Sequence, residues 1–135
     1  MANKPTVYNA KDCVITVDNV CITGLGEDMV TGSKDEDLFS VSVGAQGDAL
    51  KSVTNNDLGQ ITLTVQPTCP QKKFLLSLMK KEAPFSIWVA NNKLKERFGG
   101  SYANILTAPE MSRSAEASDM EFVFQVFDYV VEATK

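Results

Sequence analysis

The chain has no histidine, so the side chain that most often serves as a general base or metal ligand is missing. A serine or cysteine nucleophile would need another base such as lysine, and no motif of that kind is present. The three cysteines, Cys13, Cys21 and Cys69, include no CxxC pair and cannot supply the usual zinc ligands. We therefore expect no metal, no cofactor and no enzymatic reaction.

Positive charge and long apolar runs are also scarce. The 13 lysines and arginines face 17 aspartates and glutamates, giving a net charge of -4 and a pI near 4.8. Proteins that bind nucleic acid tightly neutralise phosphates with basic side chains, so this charge balance argues against tight DNA binding. It does not prevent DNA from passing nearby. No apolar run approaches the roughly 20 residues of a membrane helix. The N-terminus "MANKPTVYNA" has no signal-peptide core, so we expect cytoplasmic synthesis and no membrane segment.

Two acidic or glycine-rich stretches resemble known ligand sites only superficially. "GLGEDMVTG" contains GxG but lacks the third glycine and the strand-turn-helix setting of a dinucleotide site. The run Asp35, Glu36 and Asp37 lacks the spacing of an EF-hand calcium loop. A turn and an exposed acidic segment explain these stretches better.

The strand pattern is clearest in "FSVSV" and "ITLTV", where apolar and polar residues alternate. With the turn residues between them, these segments predict a meander whose apolar positions face the core. The polar positions carry no charge, unlike most exposed sheet faces. The apolar set is Phe39, Val41, Val43, Ile61, Leu63 and Val65, and the uncharged set is Ser40, Ser42, Thr62, Thr64 and Gln66.

Other elements follow from local signals. A hairpin turn at Asp18-Asn19 would place Thr16 opposite Cys21, with Cys13 on the other face of the ribbon, which argues against a Cys13–Cys21 disulfide. Residues 24–37 contain three glycines and five acids and are predicted to form a long loop. A capping box predicts one amphipathic helix over residues 68–82, whose four lysines suggest a solvated or subunit-contacting face more than a phosphate site.

Three further strands are predicted in "FSIWVA", "YANILTA" and the long "MEFVFQVFDYVV", with "NNKLKERFGG" joining the first two as a hairpin. The last strand is apolar on both faces, which is typical of a strand that is buried on both. A single helix cannot cover both faces, so we expect another subunit to contribute. The residues assigned to this contact are Phe127, Tyr129 and Val131.

Four ordered segments, "VTGSKDEDLFSVSVGAQGD", "NNDLGQITLTVQPTCPQKKFLL", "ERFGGSYANILTAPEM" and "EFVFQVFDYVVE", make the chain resemble the tail tube proteins of contractile-tailed bacteriophages. The resemblance runs from about Asp12 to Glu132. It implies a single domain over residues 1–135, mainly β with one α-helix, in a β-sandwich or barrel tail-tube fold. Subunits of this kind form hexameric rings that stack into a tube, and their strands build a continuous inner barrel.

The resemblance also implies partners and a location. The tube lies in the virion tail, is assembled in the host cytoplasm, and contacts the sheath, the baseplate, the tail terminator and the tape measure protein. DNA passes through the bore without specific binding. Similar rings form the tubes of type VI secretion systems and tailocins, which are an alternative reading.

Within such a tube, we expect the uncharged set Ser40, Ser42, Thr62, Thr64 and Gln66 to line the lumen, because a sliding polyanion must meet no cations. The same positions would face plain solvent in a monomer. The residues assigned to contacts between rings are Glu27, Asp28, Lys34, Asp35, Glu36 and Asp37, with the arm 1–11 joining them and lysines 72–81 or 93–95 as partners. A ligand-binding β-sandwich, for instance a sugar-binding module using Trp88 and Tyr102, is a further alternative.

Overall fold

The computed structural model describes residues 5–111, 115–116 and 118–134, and residues 1–4 of the predicted N-terminal arm lie outside this range. A short 3-10 turn, Ala10–Asp12, precedes the first strand. The strands are β1 (Cys13–Val17), β2 (Val20–Cys21), β3 (Leu25–Lys34), β4 (Phe39–Val43), β5 (Ala49–Val53), β6 (Gly59–Val65), β7 (Phe85–Asn91), β8 (Glu96–Thr107), β9 (Met120–Val126) and β10 (Val130–Ala133). The helix α1 spans Lys72–Leu78. The prediction of a mainly β chain with one helix is confirmed for the described residues.

Eight strands form one antiparallel sheet in the order β2-β1-β7-β8-β9-β6-β3, with β10 also paired to β8. Strands β4 and β5 form a separate two-stranded sheet. The large sheet is open within the described residues, since β2 and β3 lie at its two ends. The described residues of a single chain therefore form no closed barrel.

Two predicted hairpins are confirmed. Asp18 and Asn19 both adopt left-handed backbone conformations, with φ of 49° and 66°, as a two-residue hairpin turn requires. Thr16 pairs with Cys21 as expected, and all three cysteines are free. The β7–β8 hairpin closes at Asn91 and Glu96, as "NNKLKERFGG" predicted.

The core lies on one face of the large sheet and is covered in part by α1. Directly paired residues of neighbouring antiparallel strands point to the same face, so the alternating apolar positions combine across the sheet. Leu75 and Leu78 cover this face from the helix. The buried set includes Ile15, Val17, Ile61, Leu63, Val65, Ile87, Val89, Phe122, Phe124 and Val126.

The predicted loop 24–37 is largely strand, and this prediction is corrected. Residues 30–34 pair with β6 in regular register. Gly32, one of the glycines that suggested a loop, serves close packing instead, because a Cβ there would lie 2.6 Å from the Phe98 ring. As a strand at the end of the sheet, β3 pairs on one side only, so its polar residues can stay hydrated.

The helix is shorter than the predicted 68–82. Gln71, expected to complete a capping box, instead accepts hydrogen bonds from the Thr23 backbone N–H and hydroxyl at 2.9 and 3.0 Å. Residues 68–71 therefore form a turn attached to the β2–β3 connection. Lys81 lies beyond the helix and forms an ion pair with Asp18 at 3.0 Å.

The predicted last strand is two strands, β9 and β10. The chain turns at Asp128, whose carboxylate accepts the backbone N–H groups of Ser101 and Tyr102 at 3.1 and 3.0 Å. This turn places β10 beside β8. Apolar alternation continues through the turn, so sequence periodicity could not reveal it.

The predicted meander is also corrected. Strand β4 pairs with β5, whereas β6 pairs with β3 and β9. Phe39, Val41 and Val43 were expected in the core, but they are 47%, 57% and 66% exposed. Ile61, Leu63 and Val65 of β6 are fully buried, as expected.

We predict that Phe124→Ala destabilises the subunit by about 3–5 kcal/mol, because this ring is fully buried and packs edge-on against Phe85 at 6.1 Å between centroids. The matched change Phe39→Ala, on the exposed hairpin, should cost less than about 1 kcal/mol. Urea unfolding of dilute protein, followed by circular dichroism, measures both. Equal losses would contradict the separation of the hairpin from the core.

Candidate functional site

The outer face of strands β8, β9, β6 and β3 carries rows of uncharged polar side chains. One row runs through Asn104, Gln125, Gln60 and Ser33, each paired directly with the next. Since directly paired residues share a face, these amides and the hydroxyl form one continuous surface. Gln125 is fixed there because its amide donates to the Gly59 carbonyl at 3.0 Å.

A second row lies beside the first and contains Thr31, Thr62 and Val123. Within the described residues, neither row includes a lysine or arginine. We call the two rows the uncharged face and define it by Asn104, Gln125, Gln60, Ser33, Thr31, Thr62 and Val123. Alternation in the sequence indicated only Thr62 among them, because the glycines of β3 concealed the alternation of Thr31 and Ser33.

Thr64 and Gln66 have different surroundings from Thr62. Thr64 is 8% exposed, because β3 bulges over it between the pairs Leu25–Val65 and Val30–Leu63. A Cβ on Gly26 would lie 2.8 Å from the Thr64 methyl group, so the bulge rests on this residue. Gln66 follows β6 and is exposed. Thr64 thus offers little surface to a channel.

Ser40 and Ser42 lie on the β4–β5 hairpin, apart from the uncharged face. They pair with Ser52 and Leu50, and all of these side chains are exposed. The opposite side of the hairpin is mostly apolar, and we call it the apolar hairpin face. It consists of Phe39, Val41, Val43, Ala49 and Val53, together with Lys51.

In the described part of the chain, the hairpin packs on no surface that accounts for its composition. A two-stranded hairpin is marginally stable on its own in water, and contiguous exposed apolar side chains indicate an interaction surface. Lys51 covers part of the face, with its ammonium 4.6 Å from the centre of the Phe39 ring. Val53 remains 66% exposed. This composition suits a strand pair that packs on another protein surface.

The residues predicted to contact another ring fall into two groups. Glu27 and Asp28 lie exposed in the β3 bulge. The others lie near the far end of β3, where Lys34 approaches Asp57 at 3.8 Å and Asp35 approaches the Gln125 amide at 3.4 Å. This second group consists of Lys34, Asp35, Glu36 and Asp37.

The residues predicted to pack within a ring differ in how exposed they are. Phe127 and Val131 are 46% and 67% exposed, and they remain available to a neighbour. Tyr129 is 7% exposed and packs against Phe98 at 6.5 Å between ring centroids. Burial raises the pKa of the Tyr129 phenol. This side chain therefore contributes mainly to its own subunit.

The described residues include no group of three or more histidine, cysteine, aspartate or glutamate side chains suited to a metal ion. No helix among them is long and apolar enough to cross a membrane. Trp88, a candidate sugar platform, is half-buried and stacks under Arg97 at 4.4 Å. This arrangement therefore offers binding through two surfaces, the uncharged face and the apolar hairpin face.

Comparison with known proteins identifies one family and one fold. A family described as "Bacteriophage PhiTE tail tube protein" matches residues 15–126. A comparison with curated protein sequences gave no match.

Three solved structures are similar over nearly the whole chain. The anti-feeding prophage cap, described as the tube terminating cap, has a TM-score of 0.66 and 12% identity, with 99% of this chain and 95% of that chain covered. The PVC sheath-tube complex of an extracellular contractile injection system has a TM-score of 0.61 and 14% identity, covering 90% and 88%. The PVC sheath/tube terminator has a TM-score of 0.59 and 12% identity, covering 96% and 99%. At these identities the likeness concerns the fold.

We predict that the hairpin can be removed without unfolding the domain. The Leu38 carbonyl accepts the Thr54 N–H at 3.0 Å, so a short glycine linker can replace residues 39–53. Because none of the large sheet pairs with β4 or β5, the melting temperature of dilute protein should change by only a few degrees. Loss of cooperative unfolding in differential scanning calorimetry would show that the hairpin belongs to the core.

Proposed function

The chain belongs to the bacteriophage PhiTE tail tube protein family, and on that basis we propose that it polymerises as stacked hexameric rings into the inner tube of a contractile phage tail, through which DNA is ejected. This is a family of structural proteins and not of enzymes. The observation that carries the proposal is the uncharged face, a partly exposed sheet surface that includes no lysine or arginine among the described residues. The resemblance in the sequence and the fold of the similar structures support it.

The uncharged face is proposed to line the lumen. A protein that makes about 6 to 10 phosphate contacts binds DNA non-specifically at roughly micromolar to 0.1 millimolar levels. A tube repeats every contact in each subunit of each ring. Even one lysine per subunit would therefore add many phosphate contacts and raise the affinity of the tube for the genome. Hydroxyl and amide groups such as those of Thr62, Thr31 and Gln60 stay hydrated and leave DNA free to slide.

The hairpin is proposed to continue this lining. If the apolar hairpin face packs on a neighbouring subunit, then Ser40 and Ser42 point the other way and can face the channel. This arrangement would hydrate the hydroxyl side and bury the apolar side, which the isolated subunit cannot do. Gln66 can join the lining at the end of β6. Thr64 would contribute little because the β3 bulge covers it.

Contacts within a ring are proposed to use sheet edges and exposed apolar residues. The outer edge of β3 pairs with no other strand in the described part of the chain, and pairing such edges between neighbours would generate a continuous inner barrel. Phe127 and Val131 would pack at this contact. Tyr129 would support it indirectly, from within the subunit.

Contacts between rings are proposed to involve the acidic segments. Asp35, Glu36 and Asp37 lie at the base of the hairpin, and Glu27 and Asp28 lie in the bulge. Lysines 72–81 and 93–95 provide the opposite charge, which suits a head-to-tail stack. Residues 5–11 of the N-terminal arm can join this contact.

The assembled tube is proposed to lie in the virion tail after assembly in the host cytoplasm. Its partners would be the sheath, the baseplate, the tail terminator and the tape measure protein. The similar structures are a tube terminating cap, a sheath-tube complex and a sheath/tube terminator, which supports sheath and terminator contacts.

A tube of an injection system or tailocin is the second candidate. The observation in its favour is the fold likeness to an anti-feeding prophage and to an extracellular contractile injection system. The ring and stacking contacts would be the same, so the two candidates differ in what passes through the bore.

We predict that Thr31→Lys together with Thr62→Lys leaves tube assembly intact but makes the tubes bind DNA. These side chains lie on the face proposed to be hydrated, so two lysines should be tolerated there by the fold. Electron microscopy scores the assembly, and co-sedimentation of assembled tubes with short DNA measures binding. Affinity should fall steeply between about 50 and 200 mM salt. In a phage carrying both changes, DNA ejection should be lost.

The matched control is Thr31→Asn together with Thr62→Asn, which keeps the face polar and uncharged and should behave as the wild type. Tubes of the lysine variant that ignore DNA and eject normally would contradict the lumen assignment. Failure of the lysine variant to assemble while the asparagine variant assembles would place these residues in a contact.

A further inference from the structure

We propose that Tyr129 is a positioning residue that sets the register of β3 on β6 and so selects which side chains of β3 join the uncharged face. Its ring packs on Gly59 of β6 and Gly32 of β3, which we call the glycine seat. The inference rests on the proposed function in one respect, because the uncharged face matters to a tube as the wall of its bore.

The bulge in β3 contains an odd number of extra residues. Before the bulge Leu25 pairs with Val65, and after it Val30 pairs with Leu63. The four residues 26–29 therefore lie opposite a single residue of β6, and β3 gains three residues on its neighbour. Successive side chains of a strand point to opposite faces. An odd gain therefore exchanges the two faces for every residue of β3 beyond the bulge.

An uninterrupted register would give β3 the wrong two faces. Glu27 would then pair with Leu63, which is fully buried, and its carboxylate would enter the core. Burial of an unpaired charge is strongly unfavourable. Asp28 would pair with Thr62 and place a carboxylate in the middle of the uncharged face. The bulge avoids both outcomes.

The observed register gives β3 one apolar and one hydroxyl face. Val30 packs against the core, whereas Thr31 and Ser33 are exposed. Glu27 and Asp28 are exposed in the bulge, where they pair with no residue of β6. The composition of the uncharged face therefore depends on what holds residues 30–34 in this register.

The register places a glycine at a point of β3 that has no room for a side chain. A Cβ on Gly32 would lie 2.6 Å from the Phe98 ring and 2.8 Å from the Tyr129 hydroxyl oxygen, closer than Cβ atoms are normally found. Gly32 is the only glycine between Glu27 and Lys34. A shift of β3 by one or two residues in either direction would bring a larger side chain into this space.

Tyr129 links this point of β3 to β6. Its backbone N–H donates to the Asp57 carbonyl at 2.9 Å, and a Cβ on Gly59 would overlap its ring. The ring is 7% exposed and packs against Phe98 at 6.5 Å between centroids. The base of the ring thus lies at Gly59 and its hydroxyl at Gly32, so one side chain spans both strands. The position of Tyr129 therefore fixes which residue of β3 can lie opposite Ile61.

Bridging of two cysteines reports the register in dilute, unassembled subunit. The background is Cys13→Ser with Cys21→Ser, and the remaining cysteine is buried. Thr31→Cys with Thr62→Cys places thiols at directly opposed positions. Asp28→Cys with Thr62→Cys reports the uninterrupted register. Dibromobimane, a short reagent that becomes fluorescent when it joins two thiols, should bridge the first pair, and preferential bridging of the second pair would overturn the inference.

Deletion of Asp28 separates a register set by the glycine seat from one set by the bulge. If the seat sets it, the shortened bulge absorbs the deletion, and the Thr31–Thr62 bridge should form at the wild-type yield. If the bulge keeps its shape, Gly32 moves opposite Thr62 and the bridge is lost. Loss of the bridge, or loss of cooperative unfolding in this variant, would overturn the role of the seat.

Variants of the seat itself complete the test. Gly59→Ala and Tyr129→Ala should each lose most of the Thr31–Thr62 bridge, whereas Tyr129→Phe keeps the ring and should keep the bridge. The matched control is Gly44→Ala, where the nearest atom to a new Cβ is 3.8 Å away, and it should behave as the wild type. A full bridge yield in both alanine variants of the seat, or loss of the bridge in folded Tyr129→Phe, would overturn the inference.

The bridge is scored without assembly, so its result is independent of the proposed function. Tubes that keep the bridge but exclude Thr31 and Ser33 from the bore would contradict the lumen proposal and leave the register inference standing. Tubes that expose both residues in the bore after Tyr129→Ala would overturn the register inference and leave the lumen proposal standing. Cryo-electron microscopy of the polymerised variants distinguishes these outcomes.

Discussion

The antiparallel pairing of β6 between β3 and β9 is the constraint on which the rest of the structure depends. This pairing fixes Ile61, Leu63 and Val65 on the core side, and the pleat then sends Thr62 and Gln60 to the other side. A register slip of one residue would exchange the two faces. The buried core and the hydrated surface are thus two outcomes of one set of backbone hydrogen bonds.

Two parts of the isolated subunit are exposed although they are suited to contact with another protein. Among the residues that the structure describes, nothing covers the apolar hairpin face, and the sheet ends in β2 and β3, which pair on one side only. Both are ordinary features of a protein whose folded unit is completed by copies of itself. Lysine reduces the apolar character of the hairpin at one position only, because Lys51 is the single lysine on its apolar side. The polymerisation proposed above would cover this apolar surface.

Much of the fold was predictable from local patterns. Period-two alternation identified β6 and β9, and the Asp18-Asn19 and Asn91–Glu96 turns identified the two hairpins. The errors came from tertiary contacts that a local pattern does not contain. Gly32 looked like a loop residue but makes room for the Phe98 ring, and Asp128 turns the chain through bonds to backbone N–H groups of β8. Alternation in β6 is regular, so it correctly indicated that Thr62 belongs to the polar side of the sheet. Alternation alone could not show that β4 lies outside the core.

The central claim is that the uncharged face forms the wall of a water-filled bore. A cryo-electron microscopy reconstruction of the polymerised protein tests it most directly. The account predicts a hollow tube whose inner surface carries Thr31, Thr62, Gln60 and Gln125, with no lysine or arginine side chains projecting into the bore. A reconstruction in which these side chains are packed beneath a neighbouring subunit, or in which basic side chains line the inner wall, would contradict it.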